Sequence, residues 1–158
     1  KPVAVDADPD PERLAGIATG GFARYQLHFP HDLPRARIAE WAEIVGRENL
    51  WLAPKLPPDQ LFPEDLLDFA EAFLIDAFAE DAYGGTGHTA DWSRFAGLKE
   101  SFPEKKWILA GGLSPDNVLD AITATGADRI DANSGVESAP GIKDPEKIQA
   151  LFKALATG

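Results

Sequence analysis

Short apolar runs alternate with amphipathic stretches along the whole chain. Pro2 to Asp6 (P-V-A-V-D) reads as a strand, and Asp10-Pro11-Glu12 supplies an N-cap and first turn for a short helix to about Thr19, where Gly20 and Gly21 stop it. Phe22 to His28 (F-A-R-Y-Q-L-H) is the second strand. After Pro30 and Asp32, the spacing of Ile38, Trp41 and Ile44 predicts an amphipathic helix from Pro34 to Val45. Leu50 to Ala53 is a third, short strand stopped by Pro54, and the proline-rich K-L-P-P-D-Q-L-F-P-E-D leads to a helix over Pro63 to Phe69. Ala72 to Asp76 (A-F-L-I-D) is apolar until its last residue, as expected of a parallel strand buried on both faces. A long Gly-rich connection then ends at Asp91-Trp92, the cap and start of the next helix. Trp107 to Ala110 and Asp128 to Asn133 are the fifth and sixth strands. Asp144-Pro145-Glu146 caps a final helix with Ile148, Leu151, Phe152 and Leu155 on its inner face.

This β-then-α alternation with right-handed crossovers predicts an α/β fold with a parallel sheet, in one domain over residues 1–158. A closed (β/α)8 barrel has eight such units, and the pattern shows six. At the usual barrel length the difference is on the order of 50 residues, expected before Lys1. The 158 residues include 26 acidic against 15 basic, a formal charge of −11. Such a surface repels nucleic acid and anionic membranes, so any bound phosphate is held locally and the expected partner is a small phosphorylated molecule. No window approaches the roughly 20 apolar residues of a membrane helix, and the N-terminus has no signal-peptide pattern; a cytoplasmic location is expected. The chain contains no Cys, which excludes disulfides, thiolate metal sites and a Cys nucleophile within it.

The candidate chemistry concentrates between Trp107 and Glu137, where two apolar runs each end in small, Gly-containing residues: W-I-L-A-G-G-L-S-P-D-N-V and I-D-A-N-S-G-V-E. Gly111 and Gly112 let the backbone approach a ligand, and Ser114, Pro115 and Asp116 read as the N-cap and first turn of the following helix. Two such strand ends near the C-terminus of a βα-repeating chain are where barrels of this class hold a substrate phosphate. Asp76 ends an apolar strand on the face that carries catalysis in such folds, and burial beside Phe73 and Ile75 is expected to raise its pKa. Gly85 and Gly87, in the long loop that follows, provide backbone freedom for closure over a substrate.

Taken together, G-G-T-G-H-T-A-D-W (Gly84 to Trp92), I-L-A-G-G-L-S-P-D-N-V (Ile108 to Val118) and D-A-N-S-G-V-E-S-A-P-G-I-K-D (Asp131 to Asp144) resemble the phosphoribosylanthranilate isomerases. Y-Q-L-H (Tyr25 to His28) and F-L-I-D (Phe73 to Asp76) fit the same family. The resemblance starts at what would be the third barrel strand. It implies an Amadori rearrangement in tryptophan biosynthesis, with no metal or organic cofactor. It also implies Asp76 as general acid, Asp131 as a substrate contact, Gly111, Gly112, Asn133, Ser134 and Gly135 as phosphate-binding turns, and Gly85 in the closing loop. The family's first two strands, with their catalytic cysteine and an anthranilate-contacting arginine, have no counterpart here. Phe29 and Pro30 replace the glycine usual after Q-L-H, and His88 stands where the family often has lysine. Two other readings are open: a metal-dependent pentose-phosphate epimerase, for which only His28 and Asp76 are suitably placed ligands, and a truncated or degenerate barrel paralogue that binds a phosphorylated ligand without catalysis.

Overall fold

The structure is a computed structural model, and it describes residues 2–57, 60–76 and 92–157. It contains five parallel-sheet strands, β1 (Val3–Ala7), β2 (Arg24–Pro30), β3 (Leu50–Lys55), β4 (Ala72–Asp76) and β5 (Lys106–Ala110), with strand order following chain order. The helices are α1 (Pro11–Ala18), α2 (Arg35–Val45), α3 (Trp92–Ser101), α4 (Val118–Thr125) and α5 (Pro145–Thr157), and a short hairpin is formed by β6 (Glu137–Ala139) and β7 (Ile142–Lys143). The chain divides into two compact units, Lys1–Leu74 with Glu104–Lys106 and Ile75–Pro103 with Trp107–Gly158.

In the first unit the alternation predicted from sequence is present and its signals act as expected. The Asp10 carboxylate accepts a hydrogen bond from Arg13 N–H at 2.9 Å, and Pro11 occupies the first turn, so α1 starts where its cap dictates. Helix α2 ends at Gly46, whose φ of +82° disfavours other residues, and it buries Ile38, Trp41, Ala42 and Val45. Trp41 anchors that face: its indole N–H donates to the Pro9 carbonyl at 2.9 Å, and its ring meets Phe29 edge-on at 5.6 Å. The Phe29 that departs from the family pattern is thus a core residue, 1% exposed.

Strand β3 does not stop at Pro54 but runs to Lys55, pairing Phe29↔Pro54 and Pro30↔Lys55. The reason lies in the alternation of a parallel ladder. Tyr25 N–H donates to the Asn49 carbonyl, so every second residue from Asn49 faces β2, while Leu52 and Pro54 face β4. The β3–β4 register ends at Leu52↔Phe73, so the N–H that Pro54 lacks has no partner to miss. The predicted Pro63–Phe69 helix is a five-residue 3-10 helix, Glu64–Asp68. Only Leu66 is buried in it, and Lys105 Nζ takes the carbonyls of Leu67 and Ala70 at 2.7 and 3.2 Å. One buried residue and a turn into β4 leave no face long enough to favour an α-helix.

Strand β5 opens beside β4, where Lys106 N–H donates to the Glu71 carbonyl at 2.9 Å. In the second unit one core cluster joins Val118 of α4, Val136 of the short Ser134–Val136 helix and Leu151 of α5, with Ile122, Ile130, Ala132, Ile148, Ala154 and Leu155 packed against it. Phe152, expected on the inner face of α5, is 67% exposed instead, and the packed face consists of Ile148, Leu151, Ala154 and Leu155. The predicted sixth strand, Asp128 to Asn133, is reduced to one bridge, Leu109↔Ile130, made by Leu109 N–H to the Arg129 carbonyl and Asp131 N–H to the Leu109 carbonyl. With β5 as its one ladder partner among the described residues, the segment satisfies few backbone groups as a strand, and it turns at Asn133 into the 3-10 helix Ser134–Val136.

Candidate active site

All the predicted site residues that are described lie in the second unit. The first turn follows β5. Gly111 and Gly112 have φ of +98° and +60°, values that residues with a Cβ rarely adopt. The turn is then closed by Asn117: its Nδ2 donates to the Gly112 carbonyl at 3.0 Å, and its Oδ1 accepts from Ser114 N–H at 2.9 Å. Ser114 caps the turn that leads into the helix, as expected: its Oγ accepts from Asp116 N–H at 3.3 Å and its carbonyl accepts from Val118 N–H at 3.1 Å, while regular α4 begins at Val118. Because Asn117 satisfies the Ser114 N–H itself, that donor is already used inside the turn.

The second turn follows the Ile130 bridge. Asp131 is half-buried, and Asn133 and Ser134 are exposed. Gly135 is required for space rather than for conformation: a Cβ built on it would collide with the Leu113 carbonyl oxygen and lie 2.8 Å from the carbonyl carbon. The two Gly-containing turns are thus in direct backbone contact. Asn133 is held by Lys143 of β7, whose ammonium donates to the Asn133 backbone carbonyl at 2.9 Å, to Asn133 Oδ1, and to Glu137 Oε1 at 2.8 Å. The Lys143 ammonium, helped by Gly141 N–H, holds the Glu137 carboxyl below its ordinary value. Lys147 Nζ fastens the same hairpin through the Glu137 carbonyl at 2.7 Å.

Asp76 stands at the end of β4. Its four strand predecessors are buried, but Asp76 itself is exposed, contrary to the burial expected of it from its apolar neighbours. The burial of β4 thus ends one residue before Asp76. Since β4 and β5 start side by side, their C-terminal ends coincide, and Asp76 and the first turn share one end of the sheet. Gly85, Gly87 and His88 lie outside the described residues. His28 is half-buried on β2 with its Nε2 3.1 Å from Gln26 Nε2. At the end of β1, Asp6 accepts from Arg13 Nε and Nη2 at 2.6 and 3.2 Å, which holds its carboxyl below the ordinary range.

The family model for N-(5'-phosphoribosyl)anthranilate isomerase matches residues 38–154, a span that contains both turns and Asp76. This chain belongs to that family. An N-(5'-phosphoribosyl)anthranilate isomerase of Synechococcus elongatus is 35% identical over 156 residues, covering 98% of this chain and 70% of the relative. Among solved structures, the phosphoribosyl anthranilate isomerase of Thermotoga maritima aligns with a TM-score of 0.73 at 28% identity, covering 99% of this chain and 73% of the other. A second, solved in complex with reduced 1-(o-carboxyphenylamino)-1-deoxyribulose 5-phosphate, aligns with a TM-score of 0.70 at 26% identity, over 99% of this chain and 71% of the other. The fold is accordingly α/β of the TIM type, as expected from the strand and helix pattern.

Within this isomerase family fold, two residues that shape the turns carry no role in the reading of the sequence. Asn117 sits three positions after Ser114, a spacing that allows an Asn side chain to bridge a turn. Lys143 lies in P-G-I-K-D, where Pro140-Gly141 signals a turn and hence a hairpin that returns Lys143 toward Asn133. The hairpin itself was legible in that dipeptide; its destination was not.

Proposed function

We propose that this chain carries out the reaction of its family, the isomerisation of N-(5'-phosphoribosyl)anthranilate to 1-(2-carboxyphenylamino)-1-deoxyribulose 5-phosphate in tryptophan biosynthesis. The observation that carries the reading is the coincidence of a family match with two touching Gly-containing turns at the same sheet end as a strand-terminal carboxylate. In the reaction an acid protonates the furanose ring oxygen as the C1–O bond breaks, giving a Schiff base. A base then removes the proton from C2, and the resulting enolamine tautomerises to the ketone. Atoms and charge balance without a redox partner.

In this reading Asp76 is the general acid, Asp131 contacts the substrate near its ribose, and Gly111, Gly112, Asn133, Ser134 and Gly135 surround the phosphate. The positive φ of Gly111 and Gly112 supports this reading, since Gly-rich turns at strand ends are a common way to present backbone N–H groups to a phosphate without a lysine cluster. Gly85 lies outside the described residues, and the family resemblance implies for it a part in closure over the substrate. We place β1 to β5 and the Ile130 segment at barrel strands three to eight. The family resemblance implies a cysteine among the catalytic residues, and the chain holds no Cys, so no residue of it is assigned the role of base.

Two measurements test this. With a segment of roughly 50 residues corresponding to the first two βα units added in trans, the chain should show isomerase activity that it lacks alone; full activity of the 158 residues by themselves would remove both the strand placement and the missing base. In the active mixture, Asp76→Asn should lower kcat by orders of magnitude at similar KM, because an amide keeps the shape but cannot supply the proton. A loss under about tenfold takes Asp76 out of the acid role.

A further inference from the structure

We infer that Lys143 is a positioning residue for phosphate recognition: it fixes the orientation of the Asn133 carboxamide so that the amide NH2 is presented to the substrate phosphate. The inference rests on the phosphate reading of the two turns and adds a residue outside them. It starts from the inventory of donors. An ammonium has three N–H groups and no acceptor, and all three of those of Lys143 have acceptors: the Asn133 backbone carbonyl, Asn133 Oδ1 and Glu137 Oε1. Lys143 is therefore saturated and its charge is balanced by Glu137, so it is not itself the phosphate ligand.

Its effect passes through Asn133. A free Asn amide can flip, presenting oxygen or NH2 with nearly the same shape. Beside a donor-only ammonium one flip is excluded, because NH2 against NH3+ would set donor against donor. With Oδ1 committed to Lys143, the exposed edge of Asn133 is its NH2, a donor in the turn where an anion is to be held. The same ammonium grips the Asn133 carbonyl, which removes an acceptor oxygen from the turn and fixes the backbone at φ −117°, ψ −86° just before Ser134. Both contacts convert an ambivalent residue into one that offers only donors, which is what selects phosphate over a neutral or cationic group.

The hairpin exists to deliver that ammonium. Pro140-Gly141 turns the chain with Gly141 at φ +78°, its N–H donating to Glu137 Oε2 at 3.1 Å, and Lys143 pairs in register with Glu137 across the hairpin. Glu137 thus orients Lys143 from the opposite strand while Lys143 orients Asn133.

The test uses the full chain with ribose 5-phosphate as the probe, measured by calorimetric titration, with unfolding midpoints followed in parallel. Lys143→Met should weaken binding about tenfold, the size of one charge-assisted hydrogen bond, and Lys143→Arg should recover most of it. Asn133→Ala should weaken binding similarly, and the double variant Lys143→Met, Asn133→Ala should be no weaker than Asn133→Ala alone. Asn133→Asp is independent of any folding defect at Lys143: it keeps the acceptor for the ammonium but places an anion where the NH2 stood, so binding should fall more than tenfold with the unfolding midpoint preserved. In the catalytically active mixture Lys143→Met should raise KM with kcat within about twofold. If Gly112→Glu abolishes ribose 5-phosphate binding while Lys143→Met and Asn133→Asp leave it unchanged, the phosphate site stands and the role of Lys143 is overturned. If Gly112→Glu also leaves binding unchanged, the phosphate reading itself falls and takes this inference with it.

Discussion

The two Gly-containing turns are closed by different constructions. The first is closed by a neighbour in sequence: Asn117 reaches back three positions to Ser114 and five to Gly112. The second is closed at a distance, by Lys143 ten positions beyond Asn133, and depends on a hairpin being in register. Their glycines differ too. Gly111 and Gly112 are needed for positive φ, whereas Gly135 is needed because the Leu113 carbonyl fills the space of its side chain. A glycine in a binding turn can therefore report a backbone angle or a close contact, and substitutions distinguish the two: an angle penalises the turn locally, a contact penalises both turns at once.

Gly135→Ala should have the largest effect, since a methyl group there displaces the backbone of the other turn rather than a flexible side chain. Overpacking of this kind costs about 1–3 kcal/mol of stability, and ribose 5-phosphate binding should be lost; a variant that unfolds and binds like the parent would show that the turns do not touch. Asn117→Ala should come next, because it leaves the Ser114 N–H and the Gly112 carbonyl without their partner. At roughly 0.5–1.5 kcal/mol for each hydrogen bond, denaturant titration should show a loss of about 1–3 kcal/mol, with weaker ribose 5-phosphate binding confined to the first turn's contribution. Additivity of Asn117→Ala with Lys143→Met in binding would indicate that the two closures act separately, and strong coupling would indicate that they act through the Leu113–Gly135 contact.

Gly141→Ala probes the second closure through conformation alone. No heavy atom lies within 4 Å of the added Cβ, so the cost is that of a positive φ, about 1–2 kcal/mol; its effect on binding should run through Lys143 and vanish in a Lys143→Met background. The smallest effect is electrostatic. Glu137 is held below its ordinary carboxyl value chiefly by its hydrogen bond to Lys143. A carboxyl depressed in the folded state contributes stability that is fully present above its ordinary value and is lost as pH falls through the depressed one. The difference in unfolding midpoint between the parent and Glu137→Gln should therefore be constant at neutral pH and shrink in the acid range below the ordinary value. A difference that grows on acidification would place the ion pair elsewhere.

Much of the fold was legible because its signals act within a few residues. The apolar run ending at Asp76, the Asp10-Pro11 start of α1, and the Asp144 carboxylate that accepts from Glu146 and Lys147 N–H to start α5 each combine a pattern with an adjacent cap. The glycine turns were legible for the same reason. Where the reading failed, the deciding partner was remote. Pro54 reads as a strand stop, yet whether a missing N–H matters depends on which neighbour that position faces and where that neighbour's register ends. Asp128 to Asn133 has the composition of a strand, but strand extent is set by how many ladder partners are available, and a single bridge formed.

The sequence by itself determined the order of the five sheet strands with the helices that follow them and the positions of the glycine turns, because propensity, capping and hydrophobic period are local properties of the chain. Tertiary structure alone decided that Asp76 is exposed, that Phe152 faces out, that Gly135 leaves room for Leu113, and that Lys143 reaches Asn133. Each of those depends on atoms brought together from separate elements, and a contact between residues far apart in sequence has no signature in the pattern around either of them.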